Sequence, residues 1–458
     1  MNSYLMGIDN GGSAIKCAIF KNDGTTVSVC SRPAPPYLPG GFSNRDPEAV
    51  WAVNCQVIGE ALEKAGLTGS DIAALSVCGY GGGVCLVDQA GNATYPLIVS
   101  TDTRALPAVE ELRAEGFEAT LEKHTLQSLW PGQAAPLLRW FLENQPAVLE
   151  QSAHMLNIKD YIRLRLTGAI SMEVTDASNF GLSSIYTGAF EPELISGAVG
   201  EGLIRLVPHP FLRPTEKAGA VTPQAAAQTG LAPGTPVAAG LYDVAACALA
   251  SGLTGPETLG LATGTWGIAC FLSRHISPQK KASLLTYTYL EGYRLEEESG
   301  ATCTCNLDWF IESFLRKAHP ELSGSSIYTL CEKALTEIAP GDAPLFIPYL
   351  YCCATPADGG GFFGLKSTHG ELHLLRGVME GIVYSLLHYV EPLKADAGKE
   401  GFKRIRISGG ITQSAAWTQM LCDMLALPLE VTPPQAGARG AAICAGVCCC
   451  LLYTSRCV

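Results

Sequence analysis

Short apolar runs bounded by small residues alternate with longer stretches of helical periodicity along the chain, the pattern of an α/β protein. The first run, Tyr4 to Asp9, meets a small-residue turn and continues as Ala14 to Phe20, after which Asp23-Gly24 marks a hairpin turn. A helix is predicted from Asp46. That residue suits an N-cap, Pro47 the first helical position and Glu48 the positive end of the dipole. Val50, Val53, Val57 and Leu62 then mark its buried face, and Gly66 ends it. Ala73 to Cys78 and Val84 to Val87 read as strands around Tyr80-Gly81-Gly82-Gly83. From Ser128 to about Gly202 the pattern is mostly helical, with a stop at Thr167-Gly168, whereas Val207 to Pro236 suits loops and short strands. Further on, Ile405 to Ile407 leads through Ser408-Gly409-Gly410 into a helix from Ser414, with Trp417, Met420, Leu421, Met424 and Leu425 on one face.

One pattern occurs twice. Gly7-Ile8-Asp9-Asn10-Gly11-Gly12-Ser13-Ala14-Ile15 is echoed 253 residues later by Gly260-Leu261-Ala262-Thr263-Gly264-Thr265-Trp266-Gly267-Ile268. Each echo reads as strand, small-residue turn and second strand, and each is followed two residues on by a cysteine. A duplicated domain accounts for this, with a boundary near residues 240 to 254 and a cleft between the halves.

Composition narrows the classes. The 458 residues are 47% hydrophobic, too apolar for disorder, and long enough for two or three cores. Forty-three acids against 31 bases give a net charge of −12, which disfavours sequence-independent nucleic-acid binding. No uncharged apolar run is long enough to span a bilayer, and the start of the chain lacks a basic stretch before an apolar core. The expectation is therefore a cytoplasmic protein with no membrane partner. The 18 cysteines, among them Cys303 and Cys305, Cys352 and Cys353, and Cys448 to Cys450, form no zinc or CxxC pattern and read as reduced, mostly buried thiols.

Several segments could carry chemistry. A small-residue turn after a strand frees backbone N–H groups and lets phosphate approach, so Asn10, Gly11, Gly12 and Ser13 form a candidate phosphate turn, with Lys16 as a nearby positive charge. Asp9 makes sense beside a phosphate if Mg²⁺ stands between them; otherwise it caps a tight hairpin. Gly264 and Thr265 form the matching turn, and neither is a P-loop. Asp243, in Gly240-Leu241-Tyr242-Asp243, is either an N-cap or a carboxylate that takes the proton from a hydroxyl attacking a phosphate. Gly409-Gly410 leaves room for a flat ring or a phosphate, or is an ordinary turn. Three glycines after Tyr80 leave space where a ligand could sit, and Asp102 with Arg104 reads as a polar loop or a surface ion pair. Lys159-Asp160-Tyr161 reads as a helix start.

Together these segments, in order and over nearly the whole chain, resemble the FGGY family of carbohydrate kinases within the actin-like ATPase superfamily. Ser100-Thr101-Asp102-Thr103-Arg104-Ala105, Ser128-Leu129-Trp130 and Thr263-Gly264-Thr265-Trp266 are most similar to its L-xylulose and 3-keto-L-gulonate kinases. The resemblance implies two actin-like (ribonuclease H-like) domains, 1–245 and 246–458, closing on an interdomain cleft. It implies ATP and Mg²⁺, with nucleotide contacts from Asn10, Gly11, Gly12, Ser13, Lys16, Gly264, Thr265, Gly409, Gly410 and Gln413, and metal contacts from Asp9 and Asp243. The sugar is expected at Tyr80, Gly81, Asp102, Trp130 and Asp243, with Asp243 as general base. The expected substrate is L-xylulose or a related ketose or keto-sugar acid. D-xylulose, L-ribulose, gluconate or glycerol is the alternative, as is a non-catalytic nucleotide sensor. Oligomeric state stays open, a homodimer included. Departures from the family pattern are visible: Ile411 replaces a third glycine of the adenosine motif, Thr304 and Cys305 lie where a nucleotide-contacting glycine is often seen, Gln435 or its neighbour sits where a Glu is common, and Tyr80-Gly81-Gly82-Gly83 stands where many xylulose kinases have Gln-Met-His-Gly.

Overall fold

The first hairpin forms at its small-residue turn. In the computed structural model, which describes residues 4–280, 283–300, 302–322, 324–351 and 359–452, β1 (Tyr4–Asn10) pairs antiparallel with β2 (Ala14–Lys21). β3 (Thr26–Pro33) continues the meander through Gly24, whose φ of 84° suits only a residue without Cβ. Cys352 and Cys353 lie outside the described residues. Helix α1 (Pro47–Ala65) starts as its sequence predicts: Asp46 Oδ1 accepts from the Glu48 N–H at 2.9 Å, and Gly66 closes the last turn in the left-handed region. β4 (Ile72–Gly79) then runs parallel to β1.

Helices α2 (Ile158–Thr167) and α3 (Val174–Asn179) precede β5 (Lys217–Ala220), β6 (Pro236–Ala238) and β7 (Leu241–Tyr242). The seven strands lie in the order β3-β2-β1-β4-β6-β5, with β7 also pairing parallel to β4. Helix α4 (Asp243–Ala250) follows β7 directly.

The second sheet repeats this plan. Its strands include β8 (Thr258–Thr263), β9 (Gly267–Ser273), β10 (Arg294–Gly300), β11 (Arg404–Gly409) and β12 (Leu429–Val431), ordered β10-β9-β8-β11-β12. As in the first sheet, an antiparallel hairpin has a parallel strand on its far side. The duplication read from the sequence thus appears in the strand order, with one difference. Asn10 pairs with Ile15, leaving Gly11 to Ala14 in the first turn, whereas Thr263 pairs with Gly267, leaving only Gly264 to Trp266 in the second. The echo is therefore out of register by one residue beyond the turn. Helix α5 (Glu371–Ala397) and helix α6 (Ala415–Leu425) pack on this sheet; Ser414 caps α6 by accepting from the Trp417 N–H, and Trp417, Leu421 and Leu425 are buried.

The chain forms two compact units, one from the described parts of 1–250, 284–295 and 435–458, the other from 251–283 and 296–434. The segments 284–295 and 435–452, which a simple division at 245/246 assigns to the second half, pack with the first. Gln127 Nε2 donates to the Leu285 carbonyl at 2.8 Å, and the Tyr287 N–H to Ser178 Oγ at 3.0 Å. The small-residue run near the C-terminus is helix α7 (Ala436–Cys448), laid against β1, β4 and α4. Its approach is backbone to backbone: a Cβ on Gly7 would overlap the Ala438 carbonyl, and one on Gly440 the Ala246 carbonyl. Ile8, Ile15, Val57, Ile58 and Val77 centre the first core, and Leu261, Phe271, Val383, Ile407 and Leu421 the second, each such side chain contributing about 1.5–3 kcal/mol on burial. Among the described residues no helix is long and apolar enough to cross a membrane, and the cysteine thiols are free.

Candidate active site

Three parallel strands of the first unit end together. Asp9 on β1 is the register partner of Cys78 on β4, and Leu241 on β7 pairs with Cys78 from the other side, with Tyr242 opposite Gly79. Asp9 and Asp243 therefore leave the carboxyl ends of strands that flank one central strand, about 10 Å apart by ordinary strand spacing. Carboxyl ends of parallel strands are where α/β sheets receive ligands. Both acids are half-buried, and the Cys78 thiol, pushed well above its usual value by burial, feels the charges of both. Burial raises the Asp9 carboxyl above the usual range, while Lys16, its cross-strand partner, and a hydrogen bond with Cys78 pull it back. Asp243 is the first residue of α4 rather than a residue preceding it, and its Oδ1 accepts from the Val244 N–H at 2.8 Å.

The turn after Asp9 presents Gly12 and Ser13 to solvent, with Gly11 and Lys16 half-buried, whereas Asn10 is buried in a reciprocal amide pair with Asn54 at 3.0 and 2.8 Å. Asn10 thus braces the turn from below. Arg45, which the sequence did not single out, donates from Nη2 to the Gly12 carbonyl at 2.5 Å. Of the residues before α1 only Asp46 stood out in the sequence, as the helix cap, so Arg45 carried no signal. At the far side of Asp9 begins α7, where a Cβ on Gly437 would come within 2.7 Å of Asp9 Oδ2.

In the second unit the two glycine turns are neighbours, because Thr263 and Gly409 are register partners at the ends of β8 and β11. Gly264, Thr265, Gly409, Gly410 and Gln413 are all exposed. Thr304 Oγ1 donates to the Gly264 carbonyl at 2.7 Å, and a Cβ on Gly410 would come within 3.3 Å of its methyl, so Thr304 borders both turns. Ile411 is fully buried in the core beneath them.

The Tyr80 loop corrects an expectation. Its glycines do not leave space; they admit neighbours. A Cβ on Gly82 would overlap Trp130, one on Gly83 the Ile98 carbonyl, and one on Gly81 would come within 2.5 Å of Asn179 Oδ1. Tyr80 is buried, and Trp130 is half-buried. Asp102 is not in a surface ion pair either. Its Oδ1 meets Arg104 Nε at 2.7 Å with both side chains buried, and its Oδ2 accepts from the Ser43 N–H at 2.6 Å. Burial pushes the Asp102 carboxyl up, but the hydrogen bonds from Arg104 and Ser43 hold it below the usual range. Arg104 also lies over Phe42 and Trp140, at 4.3 and 4.9 Å.

Lys159-Asp160, read as a helix start, is the centre of a buried charge network. Lys159 Nζ meets Asp160 Oδ1 at 2.6 Å, Asp176 Oδ2 at 3.1 Å and Glu173 Oε2 at 3.5 Å, while Arg163 Nη1 meets Asp160 Oδ1 at 2.7 Å. Thr175 Oγ1 donates to Glu173 Oε2 at 2.7 Å and accepts from the Tyr242 N–H at 3.2 Å; Arg163 Nη1 also donates to the Ala239 carbonyl at 2.8 Å. The network therefore grips the backbone on which Asp243 stands. Beyond Lys159 and Asp160, the charged residues Arg163, Arg165, Glu173 and Asp176 that follow closely were its only sequence signal.

Comparison with known proteins gives the class: the chain is a carbohydrate kinase. Residues 4–250 match the N-terminal domain, and residues 259–449 the C-terminal domain, of the FGGY family of carbohydrate kinases, and the chain belongs to that family. It is 32% identical to a probable L-xylulose kinase of Pasteurella multocida, covering 97% of this chain and 90% of that protein. It is 29% identical to an L-xylulose/3-keto-L-gulonate kinase of Escherichia coli, over 98% and 88%. A crystal structure of xylulose kinase from Rhodospirillum rubrum matches with a TM-score of 0.83 and 28% identity, over 96% and 89% of the two chains. One of gluconate kinase from Lactobacillus acidophilus, at 20% identity and a TM-score of 0.86 over 99% and 91%, shares the fold. The architecture is thus the two-domain, actin-like fold of these kinases, with ATP as phosphoryl donor and a carbohydrate as acceptor.

Proposed function

We propose that this kinase phosphorylates a hydroxyl of L-xylulose or a closely related ketose or keto-sugar acid, with Asp243 as general base. The observation that carries the reading is the pairing of Asp9 and Asp243 at the ends of strands flanking Cys78. Support for the sugar comes from relatives named for L-xylulose and 3-keto-L-gulonate.

In this reading Asp243 accepts the proton as the sugar oxygen attacks the γ-phosphate, and the Lys159 network holds its backbone in place. The N–H groups of Gly11, Gly12 and Ser13 and the charge of Lys16 take the phosphates, Arg45 and Asn10 setting the turn's shape. Gly264, Thr265, Gly409, Gly410 and Gln413 hold the rest of the nucleotide. Tyr80, Gly81 and Trp130 form the sugar wall, and Asp102 acts through Arg104 as a positioning residue. Mg²⁺ fits the donor set, because it binds protein through one or two carboxylates beside phosphate oxygens. Asp9, a partly buried acid whose charge Lys16 only partly balances, would hold it with Asp243. When bound, it would neutralise charge on the transferring phosphate.

A coupled assay of ADP release over L-xylulose, D-xylulose, L-ribulose, 3-keto-L-gulonate, gluconate and glycerol tests the reading. The largest kcat/KM is expected for L-xylulose or 3-keto-L-gulonate. A preference for gluconate or glycerol would reject the proposed substrate class.

A further inference from the structure

Between β3 and α1 the chain runs through loop 34–43, whose first half sets an aromatic residue among prolines: Ala34-Pro35-Pro36-Tyr37-Leu38-Pro39. Each proline fixes its own φ and restricts the residue before it, so the backbone on either side of Tyr37 is stiff. The loop closes where the Leu38 N–H donates to the Asn44 carbonyl at 2.8 Å.

The buried Asp102–Arg104 pair holds this loop down. Asp102 Oδ2 accepts from the Ser43 N–H at 2.6 Å, and the Val99 N–H donates to the Ser43 carbonyl at 2.9 Å. Arg104 Nη2 donates to Asn44 Oδ1, and its guanidinium lies 4.3 Å from the centre of the Phe42 ring. What the pair positions is therefore the loop that carries Tyr37.

Tyr37 is 46% exposed, yet three neighbours of different origin meet it. The Arg45 guanidinium, which grips the Gly12 carbonyl in the phosphate turn, lies 4.8 Å from the centre of its ring. Its hydroxyl stands 3.5 Å from Thr101 Oγ1, next to Asp102. The third neighbour is Tyr80, whose phenol burial pushes up and on which Cys85, Arg45 and Tyr37 also act. Tyr37 thus stands in the first unit where the phosphate turn, the Thr101 segment and the Tyr80 wall come together. The face of an aromatic ring is electron-rich and attracts the C–H groups of a sugar. A ring held in advance by prolines loses little freedom in doing so.

We propose that Tyr37 is a specificity-determining residue for the acceptor ketose, its ring packing against C–H groups of the sugar held at Tyr80. This rests on the reading that places the sugar at Tyr80 and Trp130. A rigid ring meets the two mirror images of xylulose differently, C–H in one and hydroxyl in the other. A hydroxyl pressed on an aromatic face loses its water without gaining an equal partner, and the wrong enantiomer is rejected for that reason.

Isothermal titration with L-xylulose and D-xylulose, beside kcat and KM from ADP release, tests this in the full chain with Tyr37→Ala, Tyr37→Phe and Trp130→Ala. Tyr37→Ala should weaken L-xylulose about tenfold and narrow the preference between the enantiomers, with kcat and the ATP KM little changed. Tyr37→Phe, which keeps the ring, should bind as wild type does. A rise confined to the ATP KM would show that the ring serves only Arg45 and would overturn the proposal, as would equal weakening of both enantiomers. Weakening in Trp130→Ala without weakening in Tyr37→Ala would overturn this proposal alone, whereas wild-type affinity in both would overturn the placement of the sugar as well.

Discussion

Gly437, at the start of α7, abuts the carboxylate of Asp9: a methyl group there would come within 2.7 Å of Oδ2. The contact joins the last helix of the chain to an acid in its first strand, and it leaves Asp9 no room to retreat. Gly437→Ala should therefore displace Asp9 from the phosphate turn. Overpacking of this kind costs about 1–3 kcal/mol. The expected result is a raised KM for ATP, with the sugar KM little changed, in steady-state assays at fixed Mg²⁺. An ATP KM equal to wild type would show that Asp9 does not serve the nucleotide.

Gly82 poses the matching test on the sugar side. Its φ of 74° is in the left-handed region, and its missing Cβ is what admits Trp130. Gly82→Ala adds backbone strain of about 1–3 kcal/mol and forces the indole outward. We predict a lower melting temperature and a raised sugar KM at unchanged ATP KM. Equal rises in both constants would mean that the loop acts through general stability.

The Lys159 network makes a prediction about pH. Burial pushes the Asp176 carboxyl from 3.8 up to about 8, so between those values the folded chain holds a proton that the unfolded chain has released. Stability therefore falls as pH rises through this window, by up to about 1.4 kcal/mol per pH unit from this group, and below the window the group contributes nothing. Urea midpoints measured from mildly acidic to neutral pH should decline in the wild type and decline less steeply in Asp176→Asn. Parallel curves would place the proton elsewhere.

Much of this architecture was legible in the sequence because it follows from local rules. Asp46, Pro47 and Gly66 bounded α1, Ser414 and the Trp417 to Leu425 face marked α6, and the paired small-residue turns disclosed the duplicated strand order. What escaped depends on contacts distant in sequence. The alanine-, glycine- and cysteine-rich stretch of α7 has almost no polar face, so its periodicity could not reveal that it lies on the first sheet; only the backbones of Gly7 and Ala246, which meet it from elsewhere in the chain, explain its composition. Asp102 read as a loop or surface charge, and Lys159 as no more than a helix start, because burial is decided by partners, Arg104 in one case and Asp160, Glu173 and Asp176 in the other. The Tyr80 glycines read as empty space for the same reason, since the groups that fill it come from positions 98, 130 and 179. At the candidate site, Asp9, Asp243 and the glycine turns were readable, but Arg45 was not, its target being a backbone carbonyl that no motif records.

The central claim is that the Asp243 carboxylate takes the sugar's proton. Asp243→Asn keeps the side chain's shape and its acceptor for the Val244 N–H while removing its basicity. Steady-state turnover with the preferred ketose, measured beside calorimetric ATP affinity on the same preparation, separates the two roles. The account predicts a fall in kcat of about 10²–10⁴ with ATP affinity retained. Wild-type turnover in this variant would contradict it.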